Sequence, residues 1–175
     1  MNIWIANKPQ PGSIRPYPHI PNYRLIDCTV GNLSPENIGP VYDYNGVKCE
    51  NLHNFMEYIK VSIYHDDNGP VESWNTWRLN GFKKKEIYTH KAYLYSYNGR
   101  KLDWLEEREL FKDKIKKHID LSDLPMIFQT ENILLMDYNV PNLGRGFLFQ
   151  EDLMINKRNY KYSHVYAIAE LLLGK

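Results

Sequence analysis

Between Pro9 and Pro21 the chain holds five prolines, and that stretch constrains the fold more than any other feature. Each ring fixes its own φ, removes a backbone N–H and pushes the preceding residue toward extended backbone. The segment is therefore expected to be an extended or turn-rich loop. It separates two expected strands, residues 1–6, which alternate in polarity, and Tyr23 to Val30.

With 175 residues, 43% hydrophobic and 25% charged, the chain can bury one core without disulfides and is too short to suggest two domains. Aromatic residues reach 14%, including 14 Tyr and 4 Trp, which a disordered chain does not carry. Some of these rings are expected in the core and others on a flat stacking surface. A net charge of +1 gives no global field toward nucleic acid or an anionic membrane, so any nucleic-acid contact must come from a local patch. Two cysteines, Cys28 and Cys49, are too few for a disulfide framework or a Cys-based zinc site, and both are read as reduced thiols. No apolar stretch approaches a membrane span, and Met1–Ile5 lacks the basic region and apolar run of a secretory signal. The expectation is a cytoplasmic protein with no membrane partner, a monomer rather than an oligomer.

Gly31 to Pro40 reads as a loop whose backbone N–H groups are free to bind something, and Tyr42 to Lys48 as a hairpin with Asn45-Gly46 at its turn. From near Glu50, the residues Leu52, Phe55, Met56, Ile59 and Ile63 recur at helical spacing. His65 to Pro70 ends that helix, and a second, around Val71 to Leu79, carries Trp74 and Trp77. Tyr93 to Tyr97 alternates as a strand, followed by an Asn98-Gly99 turn. Asp103, with Glu106 three residues on, is a plausible N-cap for a third helix reaching His118, with Trp104, Phe111, Ile115 and Ile119 as its buried stripe. Ile133 to Met136 is a short apolar strand ending in Asp137, while Phe147 to Asn156 and Ser163 to Leu173 read as helices. The sum is an α+β chain, mainly helical, a single domain of residues 1–175 with short strands and hairpins.

The signatures of dinucleotide, P-loop and zincin chemistry are absent from the sequence. His53 and Glu57 lie four apart on one helix face, but no third ligand converges with them, so no metal is assigned. Lys83-Lys84-Lys85 reads as a solvated run, or as a contact to nucleic-acid phosphate. Glu50 opens the first helix, Trp104 opens the third, and Asp137 ends a strand, so all three can project into a cleft. Each also has an ordinary reading. An acid suits a helix N-terminus through the dipole, Trp104 suits a core, and Asp137 suits a turn.

Several segments resemble the NADAR/YbiA-like family in the same order along the chain. Gly31-Asn32-Leu33-Ser34-Pro35 with Ile38-Gly39-Pro40-Val41 is similar to its entry loop. Glu50-Asn51, Asn54 and Glu57-Tyr58-Ile59-Lys60 resemble the family helix that begins with Glu and ends in a Gln-x-x-Lys turn. Glu57 here replaces the Gln, and Glu50 stands about one turn earlier. Lys101-Leu102-Asp103-Trp104 with Arg108 resembles a Leu-x-x-Asp-Trp segment, and Leu134-Leu135-Met136-Asp137 resembles the strand that delivers the family's Asp. Leu143-Gly144-Arg145-Gly146 into Phe147-Leu148 resembles its glycine-led C-terminal helix. The likeness spans residues 31 to 173, with residues 1–30 as N-terminal strands and the Pro-rich loop.

The resemblance implies cleavage of an N-glycosidic bond at the anomeric carbon of ribose, without metal or redox cofactor. The leading substrate is ADP-ribose carried on guanine of nucleic acid, DNA ahead of RNA. The chain is rich in Asn, Lys, Ile and Tyr, as in a phage or low-GC genome, and a phage protein of this kind would reverse ADP-ribosylation by a host toxin. The alternatives are a glycosidase on a free nucleotide or riboflavin-pathway intermediate, and a non-catalytic module that binds ADP-ribose or nucleic acid and inhibits a partner. Glu50 or Asp137 would stabilise the oxocarbenium-like carbon and activate water. Lys60 would hold a ribose or phosphate oxygen or trap C1 as a Schiff base. Trp104 would stack on a base, and Asn32, Ser34, Asn54, Glu57 and Arg108 would line the substrate. Gly144 and Arg145, set before a helix, would take the pyrophosphate.

Overall fold

The computed structural model describes residues 1–8, 17–61, 65–66, 69–70, 78–80, 94–119, 131–138, 140, 146–149 and 164–174. In chain order the first strands are β1 (Asn2–Asn7), β2 (Tyr23–Asp27), β3 (Val41–Tyr42), β4 (Lys48–Cys49), β5 (Lys60–Val61), β6 (His65–Asp66) and β7 (Gly69–Pro70). The later ones are β8 (Leu94–Tyr97), β9 (Arg100–Lys101), β10 (Asn132–Asp137) and β11 (Phe147–Leu148). Among the described residues the helices are α1 (Leu52–Tyr58), α2 (Trp104–Lys116) and α3 (His164–Leu172), with helical residues 78–80 and a 3-10 turn at Gly31–Leu33. The class is α+β with a mixed sheet. It is not mainly helical: among the described residues strand is as prominent as helix, and two-residue strands such as β5 and β11, whose partners lie far along the chain, leave no local period. No helix among the described residues is long and apolar enough to cross a membrane.

The described residues fall into two units, Met1–Ser34 with Ile115–Lys175, and Pro35–Lys114. The first is built on a four-stranded sheet of order β11-β1-β10-β2, in which β1 and β2 both run parallel to β10 and β11 runs antiparallel to β1. β10 is buried along its whole length, as its unbroken Ile133-Leu134-Leu135-Met136 run requires between two parallel neighbours. Its first residue, Asn132, is a buried amide with partners on both sides. Its Oδ1 accepts from Asn2 Nδ2 (3.1 Å) and Trp4 Nε1 (3.3 Å), and its Nδ2 donates to the Pro21 carbonyl (2.8 Å). Satisfying each of these groups removes most of the cost of burying them. Ala6, Leu134 and Met136 pack with Tyr17 and Ile20, so the described end of the Pro-rich segment covers one sheet face. α3, buried at every position, packs against β10.

β2 ends at Asp27, short of the expected Val30, because Asp27 Oδ1 accepts from the Thr29 amide (3.0 Å) and hydroxyl (2.6 Å) and turns the chain. The expected helix from Phe147 is also corrected. Gly146 (φ 74°) leads Phe147 and Leu148 into a ladder with Ile5 and Trp4, and the Phe149 amide donates to the Ile3 carbonyl (2.7 Å). Residues 150–156, together with Pro9 to Pro16 of the loop, lie outside the described residues.

In the second unit, β3 and β4 form the expected hairpin with a longer turn than Asn45-Gly46 alone. Asp43 Oδ1 accepts from the amides of Asn45 (2.8 Å) and Val47 (2.7 Å), and Gly46 alone in the turn takes a positive φ, 75°. β8 and β9 are joined by Asn98-Gly99 with φ values of 53° and 72°, as a two-residue turn of this sign demands. α2 opens with a reciprocal cap. Asp103 Oδ1 accepts from the Leu105 and Glu106 amides (2.9 Å each), and Glu106 Oε2 accepts from the Asp103 amide (3.0 Å).

α1 stops at Tyr58, so the helix expected to run on through Ile63 is corrected: Lys60 and Val61 pair with Tyr95 and Leu94 of β8. A β-branched Val61 after the Ile59 cap favours this ladder over another helical turn. Ile63, Trp74, Trp77 and Lys83–Lys85 lie outside the described residues, as does most of the second expected helix. Phe55 packs edge-on against Phe111 (6.5 Å) and Tyr97 (6.1 Å). Over the Phe55 and Tyr97 rings sits the ammonium of buried Lys114, which donates to the Tyr42 carbonyl (2.5 Å).

Candidate functional site

In the first unit, three parallel strands deliver their carboxyl ends to one place. In parallel sheets this edge is where ligands usually bind, because the chain leaves each strand there as a loop. β1 ends at Asn7 with Lys8 next, β2 at Asp27 with Cys28 and Thr29 next, and β10 at Asp137 with Tyr138 next. The backbone ties these ends together: the Lys8 amide donates to the Asp137 carbonyl (2.7 Å), and the Cys28 amide to the Met136 carbonyl (2.9 Å). The Asn7 side-chain nitrogen Nδ2, in the orientation its neighbours dictate, donates to the carbonyls of Asp137 (2.9 Å) and Tyr138 (2.7 Å).

Asp137 is buried and held at both oxygens. Oδ1 accepts from the Tyr138 amide (2.7 Å), and Oδ2 lies 3.3 Å from Nδ1 of His164, the first residue of α3. The other ring nitrogen of His164, Nε2, lies 2.9 Å from the Cys28 carbonyl. The two side chains are only 9% and 6% exposed. Beside them Lys8 Nζ bonds Asp27 Oδ2 and Thr29 Oγ1, both at 2.6 Å, and sits over the exposed Tyr138 ring at 4.9 Å. The Lys8 ammonium is held above its ordinary range chiefly by the bond to Asp27. Burial pushes the Asp27 carboxyl up, but the bonds from Lys8 and Thr29 outweigh it and leave it below the usual carboxylate range. Both cysteines are free and buried; burial drives the Cys28 thiol far up and lifts Cys49 to about 12, which disfavours the thiolate of each.

The second unit presents α1. Here the loop expected to offer N–H groups gives carbonyls to the helix. The Leu52 amide donates to Ile38 (2.7 Å), the His53 amide to Pro35 (3.0 Å), and the Asn54 amide to the Asn51 side chain, the N-cap (2.9 Å). These first-turn donors, which elsewhere would hold an anion, are used up within the chain. Gly39 makes this approach possible. A Cβ there would collide with the Glu50 carbonyl and come within 2.8 Å of Asn51 Cα. Glu50 and Asn54 meet at Arg78, whose carbonyl accepts from the Glu50 amide (3.0 Å) and from Asn54 Nδ2 (3.0 Å), while its guanidinium donates to the Lys48 carbonyl.

Asn54, Glu57 and Arg108 are buried in this unit. The Glu50 side chain is not: it is 56% exposed and pairs with Lys48 at 3.3 Å. Lys60 lies on β5 rather than on the last turn of a helix, and Trp104 is the first residue of α2; their side chains lie outside the described residues, as do Gly144 and Arg145 entirely. The helix N-terminus expected to assist Gly144 and Arg145 is absent at Phe147–Leu148, which form β11. In the first unit Asn32 is exposed in the 3-10 turn, and Ser34 is buried with its amide on the Gly31 carbonyl (3.1 Å). Among the described residues no three His, Cys, Asp or Glu side chains gather as a metal site.

Sequence reasoning singled out Asp137 and missed His164, Lys8, Asp27 and Thr29. One signal was present: His164 and Glu170 are the polar exceptions in an otherwise apolar α3, and a His at that place calls for a buried partner. Compared with known proteins, no family model matches the chain, and no curated protein or solved structure matches it either.

Proposed function

We propose that this chain hydrolyses an N-glycosidic bond to ribose, that its substrate is ADP-ribosylated guanine in DNA, and that Asp137 is the working carboxylate. The substrate class comes from the NADAR-like order of motifs. The observation that carries the choice of carboxylate is the position of Asp137, buried at the carboxyl end of the central parallel strand and fixed at both oxygens. A carboxylate so held stabilises positive charge at C1 and takes a proton from the attacking water without first reorganising. Glu50, exposed and paired with Lys48, lacks that environment.

The test is incubation with DNA carrying ADP-ribosylated guanine, followed by mass analysis of the products. Free ADP-ribose and restored DNA are expected. Binding of ADP-ribose with no turnover would overturn the hydrolase reading in favour of a binding module. Release of ribose phosphate from free nucleotides alone would move the substrate to a small molecule.

A further inference from the structure

We infer that His164 is the positioning residue of Asp137, with one proton lying between His164 Nδ1 and Asp137 Oδ2. This rests on the reading of Asp137 as the working carboxylate. A carbonyl oxygen only accepts, so Nε2, facing the Cys28 carbonyl at 2.9 Å, keeps its hydrogen. The second ring nitrogen then faces a carboxylate oxygen at 3.3 Å. If both were bare, two lone pairs would oppose each other between side chains only 6% and 9% exposed, so we place a proton in the contact.

Both ends of the pair are anchored in backbone. Cys28 is tied to β10 through its amide, and the Asp27–Thr29 turn sets the direction of its carbonyl. On the other side Asp137 Oδ1 is tied to the Tyr138 amide. The charged groups at the neighbouring strand ends, Lys8 and Asp27, are paired with each other. The arrangement leaves Asp137 one orientation.

In hydrolysis the water oxygen bonds C1 while its proton passes to Asp137. The C1–N pair departs with the base, which takes a proton from solvent. The His164 proton is not consumed and holds the carboxylate in place throughout.

Two measurements on the full chain test this. In nitrogen-15 NMR of histidine-labelled protein, His164 is expected to carry protons on both ring nitrogens, or one shared with Asp137. In Asp137→Asn it is expected to keep only the Nε2 proton. A bare Nδ1 in the wild type would overturn the inference, whatever the activity. In turnover of ADP-ribosylated DNA, His164→Asn, whose amide reaches the Nδ1 position, is expected to keep kcat within about tenfold of wild type. His164→Gln, whose amide reaches only the Nε2 position, is expected to lose about a hundredfold, with KM little changed. Equal losses in the two folded variants would reduce His164 to a packing residue. If wild-type protein turns over no such substrate, the proposed function fails, and the NMR result still decides where the proton lies.

Discussion

Asp137 and Glu50 each stand at the end of a secondary-structure element, and from the chain alone they look alike. Asp137 ends a strand whose two parallel neighbours end beside it, so its carboxylate is enclosed and reaches a ring nitrogen and a backbone amide. Glu50 precedes a seven-residue helix whose first amides are already taken by Pro35, Ile38 and Asn51, and its carboxylate turns out to Lys48. The same residue class at the same kind of boundary thus differs in what closes over it. A carboxylate is made reactive by fixed partners and exclusion of water, not by its place in an element.

The sharpest way to break this comparison is to remove each charge in turn. Asp137→Asn is expected to slow release of ADP-ribose by about a hundredfold or more, and Glu50→Gln to cost less than about tenfold. The opposite order in rates on ADP-ribosylated DNA would exchange the two roles. Stability should follow the same contrast. Asp137→Ala leaves Nδ1 of buried His164 without its carboxylate and is expected to cost about 3 kcal/mol in urea denaturation. Glu50→Ala should cost about 0.5 kcal/mol or less, as surface pairs do.

The α1 entrance is tested next. Gly39→Ala pushes a methyl group into the Glu50–Asn51 backbone and is expected to destabilise by about 1–3 kcal/mol. Asn51→Ala removes only the cap and should cost about 1 kcal/mol. A Gly39→Ala variant as stable as wild type would mean that the loop does not seal the helix.

The smallest effect concerns pH. Asp27 is held low, so its contribution is full above about pH 4 and fades as pH falls through the lowered value. Lys8 is held high, so its contribution is full below about pH 10 and fades as pH rises through the raised value. Lys8→Met should flatten both limbs of the stability–pH curve by about 1 kcal/mol or less. Unchanged limbs would show the pair to be neutral.

Elements whose causes are local were legible. Asp103 and Glu106 cap α2 because both partners lie within one turn, and Asn98-Gly99 bends β8 into β9 because only certain residues tolerate the required φ. Asp137 was marked as the end of an apolar run. What escaped was set by distant partners. Phe147 and Leu148 join a sheet through Ile5 and Trp4, near the other end of the chain, and their own neighbours give no hint of it. Lys60 leaves its helix for β8, more than thirty residues on. His164 meets Asp137 only because α3 lies against β10, a pairing with no trace in local periodicity.

That the central strand comes late has a consequence for how the chain is made. β1 and β2 are made well before β10, which begins at Asn132, and neither pairs with the other; each awaits β10. Until β10 is made, both strands have open edges and no native mate, the condition under which nascent chains seek wrong partners or chaperones. Without β10 the sheet has no centre, and the two strands that flank it have nothing to pair with.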